Sequence, residues 1–175
     1  MDHSRVKRDG HRTGRRRRVA ALAMAAVVAL IGSACSKGRS GSGVVAYDVF
    51  AQKFRYHGLP ANFKSSNIQI NFSNKESFPI VHEMILAQLP SGKTATDIIT
   101  SAKVKGCVGG GPCEAQFLHF GEVDDVSTGA TISGVFDLPP GNYFLACWQQ
   151  GTPQGKDNGP PHASIGMVDT FTVTP

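Results

Sequence analysis

Residues 44–175 predict an all-β fold, an antiparallel β-sandwich with one short helix. Three observations support this prediction: several short runs with the period of two expected of strands, turns rich in Gly and Pro between them, and one stretch with a helix-start signal. Many short strands with little helix are typical of a sandwich. A segment of this length is the size of one domain and can bury its own core.

The strands follow one another between Gly, Pro and Asn turn residues. The predicted strands are 44–54, 68–72, 79–89, 116–120, 131–138, 143–148 and 168–173. Residues 68–72 alternate apolar and polar side chains, whereas 79–89 is a long apolar run expected at the centre of a sheet. Residues 96–103 are predicted to be helical, with Thr96 as the N-cap and Asp97 in the first turn. The acidic segment around Glu122 is expected to be a solvated turn.

The first 34 residues have the pattern of an export signal. A run of arginines (15–18) precedes an apolar segment (19–31) and small residues before Cys35. This order resembles a bacterial lipobox, which predicts a lipoprotein-type signal peptide over 1–34 and lipidation of Cys35. Gly32 stands where an aliphatic residue usually lies, so ordinary secretion remains the alternative. Residues 35–43 are rich in Gly and Ser and are expected to tether the 44–175 domain flexibly to the outer face of a bacterial cell membrane.

Charge argues against a nucleic-acid partner. The formal net charge of +5 comes from the N-terminal segment; from Cys35 onward the chain has ten Lys and Arg against eleven Asp and Glu. No basic patch remains after removal of the signal, so nucleic-acid binding has no electrostatic support.

The chain has four cysteines, and their positions in the sequence suggest different roles. Cys35 is assigned to lipidation. Cys107 and Cys113 flank a Gly-rich loop and can form a local disulfide in an oxidising compartment. Cys147 is then left as a free thiol, and metal binding would explain it. A bridge between Cys113 and Cys147 is the alternative, and it would abolish such a site.

His82, Cys147, His162 and Met167 provide the donors of a mononuclear copper site. Two imidazoles and a thiolate in a plane, with a weak axial thioether, are typical of blue copper centres. The period of two places Cys147 on one strand face with Tyr143 and Leu145. The opposite face would carry Phe144, Ala146 and Trp148. His82 continues an inward-facing row of its own strand, so the two ligands can meet at one end of the sandwich.

The order of one upstream His followed by Cys, His and Met resembles the cupredoxin (plastocyanin-like, blue type 1 copper) family. The resemblance rests on 138–143 leading into Cys147, and on His162 and Met167 leading into the last strand. It implies a Greek-key sandwich, with His82 and Cys147 as equatorial ligands, His162 as the more exposed equatorial ligand, and Met167 as the axial ligand. This chain departs from the family in two places: a long loop (148–161) separates Cys147 from His162, and Glu83 stands where Asn often follows the first His.

These features predict an extracytoplasmic type 1 copper electron carrier that docks transiently with a redox protein. Two alternatives remain at this point. The domain could be a copper chaperone or buffer that exchanges copper with a donor or acceptor, or a metal-free module that binds a ligand or protein through the loop 148–161. An enzyme is not expected, because Ser164 lacks the partners of a hydrolase triad.

Overall fold

The computed structural model describes residues 43–64, 67–154 and 159–175. The predicted signal peptide, Cys35 and nearly all of the predicted tether lie outside these residues. Within the described part of the chain, no helix is long and apolar enough to cross a membrane.

Two facing β-sheets and a few short helices make up the described fold. The strands are β1 (Val45–Ala51), β2 (Tyr56–His57), β3 (Asn62–Lys64), β4 (Asn67–Asn74), β5 (Val81–Gln88), β6 (His119–Ser127), β7 (Thr131–Asp137), β8 (Gly141–Ala146) and β9 (Val168–Thr174). The helices are α1 (Ala95–Ala102), α2 (Pro112–Ala115) and a 3₁₀ helix (His162–Ile165). One sheet has the order β2-β1-β4-β7 and the other the order β3-β9-β8-β5-β6. The predicted β-sandwich with a short helix is confirmed.

The strand directions are mixed rather than purely antiparallel. β1 runs parallel to β4, and β3 runs parallel to β9, whereas the pairs β5–β6, β5–β8 and β8–β9 are antiparallel. A parallel pair requires a crossover between its strands, and β1 reaches β4 only after the chain has formed β2 and β3 in two different sheets. The alternation of side chains indicates strands but not their direction, so the sequence could not predict these pairings.

Helix α1 begins earlier than predicted. Its N-cap is Thr94, not Thr96, and Asp97 accepts hydrogen bonds from the backbone N–H and the hydroxyl of Thr94 at 2.9 and 2.8 Å. Asp97 therefore occupies the third helical position, where a carboxylate satisfies an otherwise free N–H at the helix start. This reciprocal arrangement, rather than Thr96 alone, determines where the helix starts.

Strand β6 replaces both the predicted strand 116–120 and the predicted acidic turn. The register against β5 shifts between His82 and Met84, and Asp125 has a φ of 49°. This bulge allows Val123 and Val126, three residues apart, to enter the same core, while the carboxylates between them stay exposed. The acidic residues are therefore part of an edge strand, and the prediction of a turn was wrong.

Strand β8 separates two apolar clusters. Tyr143, Leu145 and Cys147 lie in the core between the sheets. Phe144, Ala146 and Trp148 pack on the other face, beneath α1 and the Cys107–Cys113 segment. The alternation predicted for this strand is confirmed, and it sends the Cys147 side chain into the core at the end of the sandwich.

Candidate metal centre

Three predicted donors meet at one end of the sandwich. Strand β5 carries His82, Cys147 follows the end of β8, and His162 opens the 3₁₀ helix. The Nδ1 atoms of the two histidines are 3.0 Å apart, and Cys147 Sγ lies 3.2 Å from Nδ1 of His162 and 3.7 Å from Nδ1 of His82. The long loop before His162 does not prevent this convergence.

Backbone hydrogen bonds hold residues 162–167, which we call the ligand segment, against the end of β8. Ala163 N–H donates to the carbonyl of Cys147 at 2.6 Å, and Cys147 N–H donates to the carbonyl of Met167 at 3.3 Å. Met167 N–H in turn donates to the carbonyl of His162 at 3.0 Å. Gly166, with a φ of 100°, reverses the chain between them, a conformation that favours glycine. Met167 is fully buried in the same core as Cys147.

The site is closed to solvent. His82, Cys147, His162 and Met167 are each 0 % exposed. The resemblance implied a more exposed His162, and this expectation was wrong. The ring of Phe54 packs on the His162 imidazole, and the backbone of Gly151 lies so close that a Cβ there would be 3.5 Å from His162 Nε2.

Burial determines the protonation of the donors. Burial, together with the neighbouring His82, lowers the pKa of His162 to about 3. Burial also lowers the pKa of His82, against the opposing effect of Glu76. Both imidazoles are therefore neutral at physiological pH, as metal ligands must be. Burial raises the pKa of the Cys147 thiol far above its usual range, so a thiolate at this position requires a cation beside it.

The donor set fits copper. Three donors bound at about 2.0 to 2.3 Å around one metal in a plane stand roughly 3.5 Å from one another. The observed separations of 3.0 to 3.7 Å lie close to that value. Two imidazoles and one thiolate, with Met167 beside them in the chain, are the ligand types of a type 1 copper site. The residues therefore fit a type 1 copper site.

Comparison with protein families agrees with this geometry. The model of the sulfocyanin (SoxE) domain matches residues 55–159, more than half of the chain. The chain belongs to the sulfocyanin (SoxE) family. This is a cupredoxin family, so the resemblance to the cupredoxins is confirmed. The match includes His82 and Cys147 and ends before His162 and Met167. These last two residues belong to the ligand segment, which is hydrogen-bonded to Cys147.

Three auracyanins, of which auracyanin A is described as a blue copper protein, are among the solved structures that this chain resembles. Reduced auracyanin from Roseiflexus castenholzii is 17% identical, covers 77% of this chain and 100% of its own, and has a TM-score of 0.48. Auracyanin B is 21% identical, with coverage of 77% and 96% and a TM-score of 0.48. Auracyanin A from Chloroflexus aurantiacus is 16% identical, with coverage of 75% and 100% and a TM-score of 0.49. A search of curated proteins found no match.

Glu76 orients the first histidine of this sulfocyanin-family site. Its Oε1 lies 3.3 Å from Nε2 of His82, and both groups are buried. A proton on Nε2 donates to this carboxylate, which leaves the lone pair of Nδ1 directed at Cys147 and His162. The same Oε1 accepts the backbone N–H of Phe54 at 2.9 Å. Sequence reasoning missed Glu76 and Phe54, although a carboxylate six residues before a predicted ligand was a usable signal.

Glu83 links the first ligand strand to the Cys147 segment. Its side chain accepts the backbone N–H of Trp148 at 2.5 Å and the amide of Gln149 at 3.3 Å. Its own backbone N–H points at Cys147 Sγ at 3.4 Å, and its carbonyl accepts the hydroxyl of Tyr56 at 2.6 Å. Glu83 therefore makes a connection between ligand segments at the position where the family often has Asn.

Cys107 and Cys113 form a disulfide, and Cys147 is a free, buried thiol. The alternative bridge between Cys113 and Cys147 is therefore absent, and the Cys147 sulfur is free for a metal. The disulfide closes the loop that leads into α2. Its two cysteines pack with Trp148 in the second apolar cluster.

Proposed function

We propose that this protein is a type 1 copper electron carrier that works outside the cytoplasm. His82, Cys147 and His162 would hold the copper, with Met167, buried in the same core as Cys147, as the weak fourth ligand. The observation that carries this proposal is the convergence of two imidazole Nδ1 atoms and one thiol within 3.0 to 3.7 Å, all inaccessible to solvent.

Bound copper supplies a one-electron couple between Cu(I) and Cu(II). The thiolate and thioether suit Cu(I), whereas the imidazoles suit both oxidation states. The protein contributes a fixed geometry, because His82 is oriented by Glu76 and the Cys147 segment is tied to β5 through Glu83. Exclusion of water from this pocket also helps to set the redox potential.

Burial favours a carrier over a copper chaperone or buffer. A chaperone must expose its ligands so that an acceptor can replace them one at a time. Here each of the ligands is 0 % exposed, and His162 is held by backbone hydrogen bonds on both sides. Electrons can cross such a covering layer, whereas a metal ion can leave only if the layer opens.

The N-terminal sequence and the disulfide support an extracytoplasmic location. The pattern over 1–34 has the features of a lipoprotein signal, and a structural disulfide is typical of an oxidising compartment. Membrane fractionation tests the anchor: wild type is expected with the membranes, and Cys35→Ala in the soluble fraction. Equal partition of the two proteins would indicate secretion without a lipid.

Copper titration of the purified full chain tests the function. One equivalent of Cu(II) is expected to produce an intense thiolate-to-copper absorption band, together with a reversible one-electron wave in voltammetry. Cys147→Ser should abolish the band, whereas the matched thiol control, Cys107→Ser with Cys113→Ser, should keep it. Copper binding without colour would support the buffer, and a lack of binding would support the metal-free module.

A further inference from the structure

The buried ligands leave open where an electron enters the protein. Phe54 is the half-buried aromatic residue that contacts both histidines. Its ring centroid lies 4.9 Å from that of His162 and 5.6 Å from that of His82, in edge-on contacts. One ring therefore bridges the protein surface and the two imidazoles that would hold copper.

The backbone holds Phe54 in an unusual conformation. Lys53 and Phe54 have φ values of 53° and 54°, and they are the central residues of a two-residue turn closed by Gln52 and Arg55. Such a turn normally has Asn or Gly at its centre, because a left-handed conformation is unfavourable for other residues. The Phe54 N–H bond to Glu76 holds this conformation in place. A bulky aromatic kept at a strained position beside a site indicates a functional requirement for that ring.

The surface around Phe54 is basic and partly apolar. We define the Phe54 face as Lys53, Phe54, Arg55, Lys75, Phe78 and Ile165; Lys75 lies at its edge, next to Glu76 in the chain and with its ammonium 4.0 Å over the Phe50 ring. Phe78 packs on Phe54 at 5.9 Å between centroids, and Ile165 is 42% exposed. The Arg55 guanidinium donates to the carbonyls of Phe54 and Ile165 at 2.7 and 3.0 Å.

The three cations of this face have no carboxylate partner within ion-pair distance among the described residues. Glu76, which accepts the Phe54 N–H, is buried and contacts His82, whereas the exposed carboxylates of Glu122, Asp124 and Asp125 are on β6, at the edge of the other sheet. Residues 44–175 carry eight Lys and Arg against eleven Asp and Glu, so the domain is acidic in total, yet the cations around Phe54 have no ion-pair partner among the described residues. Such a face attracts an anionic partner over long range.

We propose that the Phe54 face is where a redox protein with an acidic surface docks, and that the Phe54 ring carries the electron to the histidine pair. This inference rests on the proposed function. When the partner is the donor, it loses one electron and is oxidised, and the copper centre is reduced from Cu(II) to Cu(I). No atom is transferred and no bond is broken. The rim of cations orients the partner, and the apolar ring at its centre excludes water from the contact.

Charge reversal tests the docking surface. The copper-loaded, reduced full chain is oxidised by ferricyanide, an anion, and by tris(phenanthroline)cobalt(III), a cation. Lys53→Glu with Lys75→Glu is expected to slow the reaction with ferricyanide about tenfold and to accelerate that with the cobalt complex. The matched control, Lys64→Glu with Lys93→Glu, changes the net charge by the same amount. Both of its residues lie near the ends of β8 and β9 that are opposite to the histidine pair. The control should change the two oxidation rates by less than about twofold, because exposed charges far from the site are screened by salt.

Equal slowing by the two double variants would overturn the proposal, since only net charge would then matter. Unchanged rates in both would overturn it as well. The absorption band and the thermal unfolding midpoint of each variant are measured beside the rates, so that a disturbed site is recognised.

A binding map distinguishes this proposal from the proposed function. Hexacyanochromate(III) is a paramagnetic anion that exchanges no electron here, and it broadens NMR signals of nearby amides. Broadening centred on Lys53, Phe54 and Arg55 is expected in both the reduced copper form and the metal-free protein. Broadening centred on 148–152, or spread evenly over the surface, would overturn the docking site even if the protein proves to be a blue copper carrier. Loss of copper binding with the expected map would instead refute the function.

Discussion

Glu76 and His82 form a buried contact in which a carboxylate oxygen lies 3.3 Å from Nε2 of the imidazole. This contact selects the tautomer that leaves Nδ1 free for a metal. We expect Glu76→Gln to weaken copper binding about 10- to 100-fold, because such outer partners of metal-bound histidines have effects of that size. Competition with a copper chelator measures the affinity.

The side-chain amide introduced by Glu76→Gln keeps an oxygen that can accept the N–H of Phe54, so the turn is retained. The same oxygen can still accept the Nε2 proton of His82, so the variant tests the charge of Glu76, and an affinity equal to that of wild type would show that this charge does not strengthen copper binding. Glu114→Gln, at a buried carboxylate outside the copper site, is the matched control and should leave the affinity unchanged.

Glu83 makes the metal-free protein less stable as pH rises. Burial raises the pKa of Glu83 to about 7, against 4.5 for the ordinary group. Between these values the folded protein holds a proton that the unfolded chain has released, so the stability contribution of Glu83 falls as pH rises from about 4.5 through about 7. Relative to Glu83→Gln, wild type is expected to lose roughly 2 kcal/mol of unfolding free energy between pH 5 and pH 8.

Chemical denaturation of both metal-free proteins at the two pH values measures this difference. The comparison with Glu83→Gln cancels the opposite pH dependence of the buried histidines, whose lowered pKa values favour folding as pH rises. A constant difference between the two proteins would contradict the raised pKa of Glu83.

Lys53 is strained in its turn. Its φ of 53° suits Asn or Gly better than Lys. We expect Lys53→Asn to raise the free energy of unfolding by about 0.5 to 1 kcal/mol, because Asn reaches the left-handed region more easily. Urea unfolding measures the change, and Lys64→Asn on β3, an extended position, should instead be neutral or destabilising. A loss of stability in Lys53→Asn would mean that the lysine side chain makes a contribution larger than the strain.

The disulfide is expected to stabilise the fold without influencing the copper site. Cys107 and Cys113 are six residues apart, so removing both thiols should cost about 2 kcal/mol through the added freedom of the unfolded chain. The absorption band of copper should stay the same, because Cys147 is separate. Denaturation and visible spectra of Cys107→Ser with Cys113→Ser test both statements; an altered band would show that the Trp148 cluster transmits changes to Cys147.

Much of the fold could be predicted from local patterns. The alternation over 143–148 correctly divided β8 between two clusters, because side chains on a strand point to opposite sides whatever lies around them. The bulge at Asp125 and the parallel pairing of β1 with β4 could not be predicted, because both depend on which strands become neighbours. Thr94, rather than Thr96, starts α1 because Asp97 bonds back to it, a detail that local spacing allowed but did not decide.

The sequence by itself determined the donor types and their order, because both follow from residue identity and spacing, but it left a bridge between Cys113 and Cys147 open, and the structure decided that Cys147 is free. Only the tertiary structure decided that His162 is buried, that Glu76 orients His82, and that Phe54 covers the histidine pair. These relationships join residues 6 to 108 positions apart in the chain. They form when the β1–β2 turn and the 3₁₀ helix close over the same end of the sandwich, and the packing of the two sheets, rather than any local pattern, brings those segments together.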